Sequence, residues 1–109
     1  MGGEIGGPGL GAYFASKHGV LGMTKSAALE YATKGLRVNA VLPGVIDTPM
    51  NDTLGEEEPE MLEKFKEGVP MKRLGKPEEI AAGVLFLASP AASFVIGHGL
   101  AIDGGILAR

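Results

Sequence analysis

The sequence predicts an α/β fold built on a parallel sheet, and three observations carry that expectation. A long helical stretch over residues 12–34 runs through a glycine into a β-branched, mostly apolar run over residues 36–42. Helix, glycine turn and strand in that order form the second half of a βαβ unit. A nearly continuous apolar run suits a parallel strand covered on both faces. A second helix over residues 77–88 then leads to a short closing strand at 100–103, giving a single partial domain.

Each element has its own local cause. Residues 1–11 are glycine-rich and read as a loop, because each glycine loses more backbone entropy on ordering than other residues. In the helix at 12–34, Val20, Met23, Ala27 and Tyr31 recur at spacings of three and four, and Gly35 follows as a C-cap. Gly19 and Gly22 lie inside that helix, on a flank where another backbone could come close. The strand stops at Pro43-Gly44. Residues 48–68 are polar and acidic, with Glu56, Glu57, Glu58 and Glu60 around Pro59. Within this stretch, Met61, Leu62 and Phe65 give a short amphipathic helix over 60–67. Pro77 at a first helical position, with Glu78 and Glu79 behind it, starts the next helix. Its apolar positions are Ile80, Val84, Leu85 and Leu87, and Ser89-Pro90 ends it.

Composition narrows the function. The chain has 109 residues, 45% of them hydrophobic, with a formal net charge of −3. No broad basic surface invites nucleic acid. There is no cysteine, which removes disulfides and thiolate metal sites and fits a cytoplasmic, reducing setting. The most apolar window, 80–88, is far short of the roughly 20 residues a membrane helix needs, so no membrane association is expected. The run Glu56-Glu57-Glu58 has no histidine partners and reads as a solvated face rather than a metal site.

Tyr13 and Lys17 stand four apart and share a helix face. A phenol titrates near about 10, too high for an efficient base near neutrality, and a nearby ammonium lowers that value. Such a pair can exchange a proton with a carbonyl or alcohol oxygen. Spacing alone favours an exposed tyrosine and a solvated lysine; the surrounding sequence reverses that preference. Residues 11–17, Gly-Ala-Tyr-Phe-Ala-Ser-Lys, resemble the active-site segment of the short-chain dehydrogenase/reductase family. Arg37-Val38-Asn39-Ala40-Val41-Leu42-Pro43-Gly44 resembles the family's next strand and turn, and Val45-Ile46-Asp47-Thr48-Pro49-Met50 continues it. The stretch from Arg73 to Ala81, then Phe86-Leu87-Ala88-Ser89, Phe94-Val95-Ile96-Gly97 and Asp103-Gly104-Gly105 match in order.

The resemblance implies the C-terminal part of a Rossmann-like doubly wound parallel sheet, and an oxidoreductase moving hydride between NAD or NADP and an alcohol or ketone. Tyr13 would be the general acid/base. Lys17 would lower its pKa and bond the nicotinamide ribose. Pro43 and Gly44 would line the nicotinamide, the Ile46 backbone would hold its carboxamide, and Thr48 would bind the carboxamide or a nearby phosphate; residues 48–76, with the acidic stretch after Thr48, would be a lid over the substrate. A homo-oligomer, dimer or tetramer, is implied as well.

Departures temper this. The family's glycine-rich dinucleotide fingerprint, its catalytic serine and its asparagine lie in an N-terminal half that is absent here. Gly9-Leu10-Gly11 is no substitute, because no strand precedes it. Ser16 projects from a different helix face than Tyr13. Binding of a whole dinucleotide, and turnover, by this chain alone are therefore not expected. The residue that separates NAD from NADP would lie in the same absent half. A second reading is a catalytically incomplete module that keeps the family's assembly surfaces. Lys72 stands where glycine is usual and Ile96 where threonine is usual; both read as tolerable surface or packing changes. His18 and His98 are expected to be structural rather than catalytic.

Overall fold

The computed structural model describes residues 10–108, with side chains from Ala15 onward. The elements are α1 (Leu10–Tyr31), β1 (Ala40–Pro43), α2 (Pro49–Glu57), α3 (Pro59–Gly68), α4 (Pro77–Ala88) and β2 (Gly99–Ile102). Short 3₁₀ turns follow at Pro90–Ala92 and Ile106–Ala108. β1 and β2 pair in parallel, from Ala40 opposite Gly99 to Pro43 opposite Ile102. The α/β class and its parallel sheet are as the sequence predicts.

The two long helices lie on opposite faces of this pair. Side chains alternate along a strand. A Cβ on Gly99 would strike Leu21 of α1, so the Gly99 face lies under α1. A Cβ on Gly83 of α4 would strike Ile102 and approach Leu100, which share the other face. Both glycines are thus where helix and sheet come closest. The buried residues Ala28, Leu42 and Leu87 lie in these layers, and Phe65 on α3, Val69 at its end and Ile106 near the C-terminus are buried as well.

Four boundaries differ from expectation. Of the glycine-rich head, residues 10 and 11 are already helical, and residues 1–9 lie outside the described residues. At its other end α1 stops at Tyr31 rather than 34, and a turn carries the chain to Gly35, whose φ is +77°. The first strand is 40–43, not 36–42. Residues 36–39 lie outside the strand proper: Gly97 N donates to Val38 O at 2.8 Å, and side chains hold the rest. Arg37 donates to the carbonyls of Leu87 and Ser89 at 2.8 and 3.2 Å. Asn39 donates to Val95 O at 2.9 Å and accepts from His98 N at 3.0 Å. These bonds clamp the entry to β1 before pairing begins at Ala40. The closing strand spans 99–102, one residue earlier than expected.

Pro43 is tolerated inside β1 for a simple reason. Ala40 N and Gly44 N donate to His98 O and Ile102 O, so even-numbered residues face β2. The donor that Pro43 lacks would point to the opposite edge, where no strand pairs among the described residues. No described helix is long and apolar enough to cross a membrane.

Candidate active site

The site gathers beyond the carboxyl ends of β1 and β2. Tyr13 and Lys17 both lie on α1, one turn apart. The Tyr13 side chain is outside the described ones. Lys17 is half-buried, and its Nζ donates to Pro43 O at 3.2 Å. That carbonyl belongs to an odd-numbered position, so it points away from β2 and is open to the lysine. Burial pushes the Lys17 ammonium below its ordinary range, and the negative charge of Asp103 opposes that shift.

Gly44 can be nothing larger. A Cβ there would lie 2.8 Å from both Cα and Cβ of Asp103, so only glycine lets the end of β1 run beside the end of β2. The Asp103 carboxylate is fixed in turn: Gly105 N and Leu107 N donate to its two oxygens at 2.9 and 3.0 Å. It closes the last turn and presents charge near Lys17. Nothing in the sequence flagged this second task; the Asp-Gly-Gly string was legible only as a strand end.

Past Gly44 the chain forms one more parallel bridge, between Ile46 and Gly75. Gly75 N donates to Val45 O at 2.9 Å, and Asp47 N donates to Gly75 O at 2.8 Å. In a parallel bridge of this kind the central residue's own N–H and C=O point the other way. The Ile46 carbonyl accepts from Asn51 Nδ2. The Ile46 N–H makes no hydrogen bond among the described residues. A Cβ on Gly75 would lie 2.8 Å from Ile46 Cδ1, so that glycine permits the close approach.

Thr48 caps α2. Its backbone is extended and its hydroxyl accepts from Asn51 N at 3.4 Å, with Pro49 in the first turn. Accepting leaves the hydroxyl proton to donate elsewhere. This helix was missed in the sequence, although Thr-Pro followed by Asp52 is a helix-start signal. Asn51, which ties α2 to Ile46, was missed with it. α3 covers 59–68, a little longer than the expected 60–67, and buries Phe65 as predicted while Met61 stays largely exposed. Together α2 and α3 roof an open cleft of about 530 Å³ lined by Gly44, Val45, Ile46, Thr48, Met50 and Phe65 among others. His18, Ser16 and His98 are exposed, and none of them lines this cleft. Among the described residues no group of three His, Asp or Glu is placed to hold a metal ion.

The residues proposed to contact a nicotinamide are therefore neighbours at one strand end. An open α/β sheet with polar groups gathered beyond its strand ends defines a class whose ligands bind in that crevice. The chain belongs to the short-chain dehydrogenase/reductase family: a family profile described as enoyl-(acyl carrier protein) reductase matches residues 1–107. It is 49% identical over 105 residues to 3-oxoacyl-[acyl-carrier-protein] reductase from Thermotoga maritima, covering 96% of this chain and 42% of that protein. It is 50% identical over 98 residues to a short-chain dehydrogenase, fogB, of Aspergillus ruber, covering 90% of this chain and 36% of that protein. Among solved structures it resembles one from Agrobacterium tumefaciens, provisionally described as a 2-deoxy-D-gluconate 3-dehydrogenase with bound NADP. The TM-score is 0.78 at 44% identity, covering 89% of this chain and 39% of that one. The chain thus spans about two fifths of the length of the relatives it matches.

Proposed function

We propose that this chain forms the nicotinamide and substrate side of an NAD(P)-dependent oxidoreductase acting on an alcohol or ketone. The observation that carries this reading is the reach of Lys17, from α1 to the carbonyl of Pro43 at the end of β1. It brings the helix bearing Tyr13 to the strand end where Gly44, Ile46 and Thr48 are gathered.

The donor set fits a nicotinamide. The Ile46 N–H and the Thr48 hydroxyl proton are the two groups a carboxamide oxygen could accept from, and they sit two residues apart. The absence of a Cβ at Gly44 keeps the turn low. When bound, the nicotinamide supplies or takes the hydride. The chain's own residues then handle the proton. In the reducing direction the Tyr13 hydroxyl donates its proton to the substrate oxygen as that oxygen gains negative charge; in the oxidising direction the phenolate takes it back. Lys17 favours the phenolate by charge. Asp103, held by two backbone donors, partly offsets the penalty that burial places on the Lys17 charge. A positioned acid of this kind typically contributes about 10²–10⁴-fold.

The reading is tested by titrating the chain with nicotinamide mononucleotide while following backbone amides by NMR. The Ile46 amide and the residues around Thr48 are expected to shift saturably, and adenosine diphosphate is expected to leave them unmoved. No shift at Ile46 with the mononucleotide would count against the reading.

A second reading has one observation in its favour. α4 leaves Val84, Leu85 and Phe86 exposed, and no strand among the described residues pairs with the second edge of β1. Those features suit a module that acts by assembly, with the Tyr13–Lys17 pair inherited and idle. The mononucleotide titration separates the two.

A further inference from the structure

We infer that the cleft under α2 and α3 selects an uncharged aliphatic alcohol or ketone over its carboxylate-bearing counterpart, and that Glu57 makes the distinction. This rests on the oxidoreductase reading above and adds to it the charge class of the substrate.

The walls set the apolar half of the preference. Val45 and Ile46 line the cleft together with Met50, Leu54, Met61 and Phe65 of α2 and α3. Met50 is 80% exposed, an unbranched side chain left over an open hollow. Methionine packs against irregular apolar shapes with little loss, because its thioether is soft and its chain flexible. Covering it with an aliphatic ligand removes apolar surface from water on both partners.

The rim sets the charge half. Among the described lining residues Glu57 is the one ionisable side chain. It makes no hydrogen bond or ion pair among the described residues. It also lines a neighbouring hollow with Glu58, Glu60 and Lys64, so the carboxylates dominate the mouth on that side. From Asp47 to Glu67 the sequence carries eight carboxylates and two lysines. Lys66, one of the two, is paired with Glu63 at 3.5 Å. A ligand carboxylate in this cleft would meet Glu57 with no cation among the lining residues to answer it. Glu57 is exposed and the cleft is open to water, so at a few ångströms the repulsion is about 1 kcal/mol and weakens binding by on the order of tenfold.

The test is a binding comparison on the chain as it stands. Methionine methyls are labelled with ¹³C and assigned by Met50→Leu and Met61→Leu. The chain is titrated with 2-octanone and, separately, with 7-oxooctanoate, which differs by a terminal carboxylate. The Met50 and Met61 methyls are expected to shift saturably with 2-octanone, at about tenfold higher affinity than with 7-oxooctanoate. Glu57→Gln should bring the two ligands within about twofold, and Glu57→Lys should reverse their order. Glu57 is exposed, and an unchanged methyl spectrum before titration verifies the fold of each variant. Equal affinities in the unaltered chain, a gap that persists in Glu57→Gln, or no shift at either methionine would overturn the inference. The experiment contains no nicotinamide, so its failure is separable from failure of the mononucleotide titration.

Discussion

Lys72 is the one residue other than glycine at positive φ among the described residues, at 59°. An L side chain in that region is strained by about 1–2 kcal/mol. The family resemblance had glycine at this position, and lysine there reads from sequence as a harmless surface change. The backbone says otherwise. Two bonds hold the strain: Lys72 N donates to Val69 O, and Nζ donates to Glu67 O, each at 2.8 Å. The second is exposed and worth little. Lys72→Gly relieves the strain but loosens the unfolded chain. The expected balance is a gain of about 0.5–1 kcal/mol, read as a higher urea midpoint at unchanged slope. A lower midpoint would mean that the Lys72–Glu67 bond outweighs the strain. Ile96, the other departure, is 40% exposed, in line with a surface change. Sequence could not reveal the strain at Lys72, because φ is set by the turn between α3 and Gly75, which no spacing rule encodes.

At the scale of elements, α1 shows what periodicity can and cannot tell. Its helical spacing was legible through Val20, Met23, Ala27 and Tyr31, yet that stripe is mostly exposed. The stripe facing the sheet is its neighbour, Lys17, Leu21, Thr24 and Ala28. Thr24 is buried there and meets its own need by donating to Val20 O at 2.7 Å. Two apolar flanks on one helix give two solutions to a pattern search, and the glycines at 97 and 99 choose between them by admitting Ala28 and Leu21. In α4 likewise, Ile80, Gly83 and Leu87 turn inward, while Val84 and Leu85, expected as apolar positions alike, do not. The start of α4 was fully legible: Pro77, Glu78 and Glu79 lead it. There Arg73 grips Glu79 in a two-pronged bond at 2.9 Å on each oxygen, and Lys76 N donates to the same carboxylate at 2.8 Å. The Arg73 bond first, then the Lys76 N–H, holds Glu79 at about 2 against an ordinary 4.5. A depressed folded value stabilises above the unfolded one and is lost as pH falls. Stability is therefore expected to decline between pH 4.5 and about 2 more steeply in the parent chain than in Glu79→Gln. Acid unfolding curves of equal slope would remove Glu79 from that account.

At the scale of the whole molecule, two helices cannot cover everything that is apolar. Met23 and Leu29 lie on the back of α1 beside Gly19 and Gly22, where a Cβ would meet nothing within 4 Å. Val84, Leu85 and Phe86 are exposed on α4, and Phe94 is fully so. The radius of gyration is 15.7 Å, against about 13 Å for a compact domain of this length. Exposed apolar surface and an unpaired strand edge drive association. We expect a homodimer, built through α1 and β2, at micromolar concentration in sedimentation experiments. A monodisperse monomer with a sharp melt independent of concentration would contradict this. The sequence made α1, β1, α3, α4 and β2 and the Tyr13–Lys17 spacing legible, because motifs are local, though it did not reveal α2. It left the covered and uncovered faces unread, because those depend on what packs where.

The central claim is that Lys17 acts on Tyr13 across one helical turn. It is tested most directly by titrating the phenol in a Tyr31→Phe background, where Tyr13 is the one tyrosine, by ultraviolet difference absorbance. The account predicts a phenolate midpoint below the value of about 10 for a free tyrosine, and its return toward that value in Lys17→Met. A midpoint at or above about 10 that does not move in Lys17→Met would contradict it.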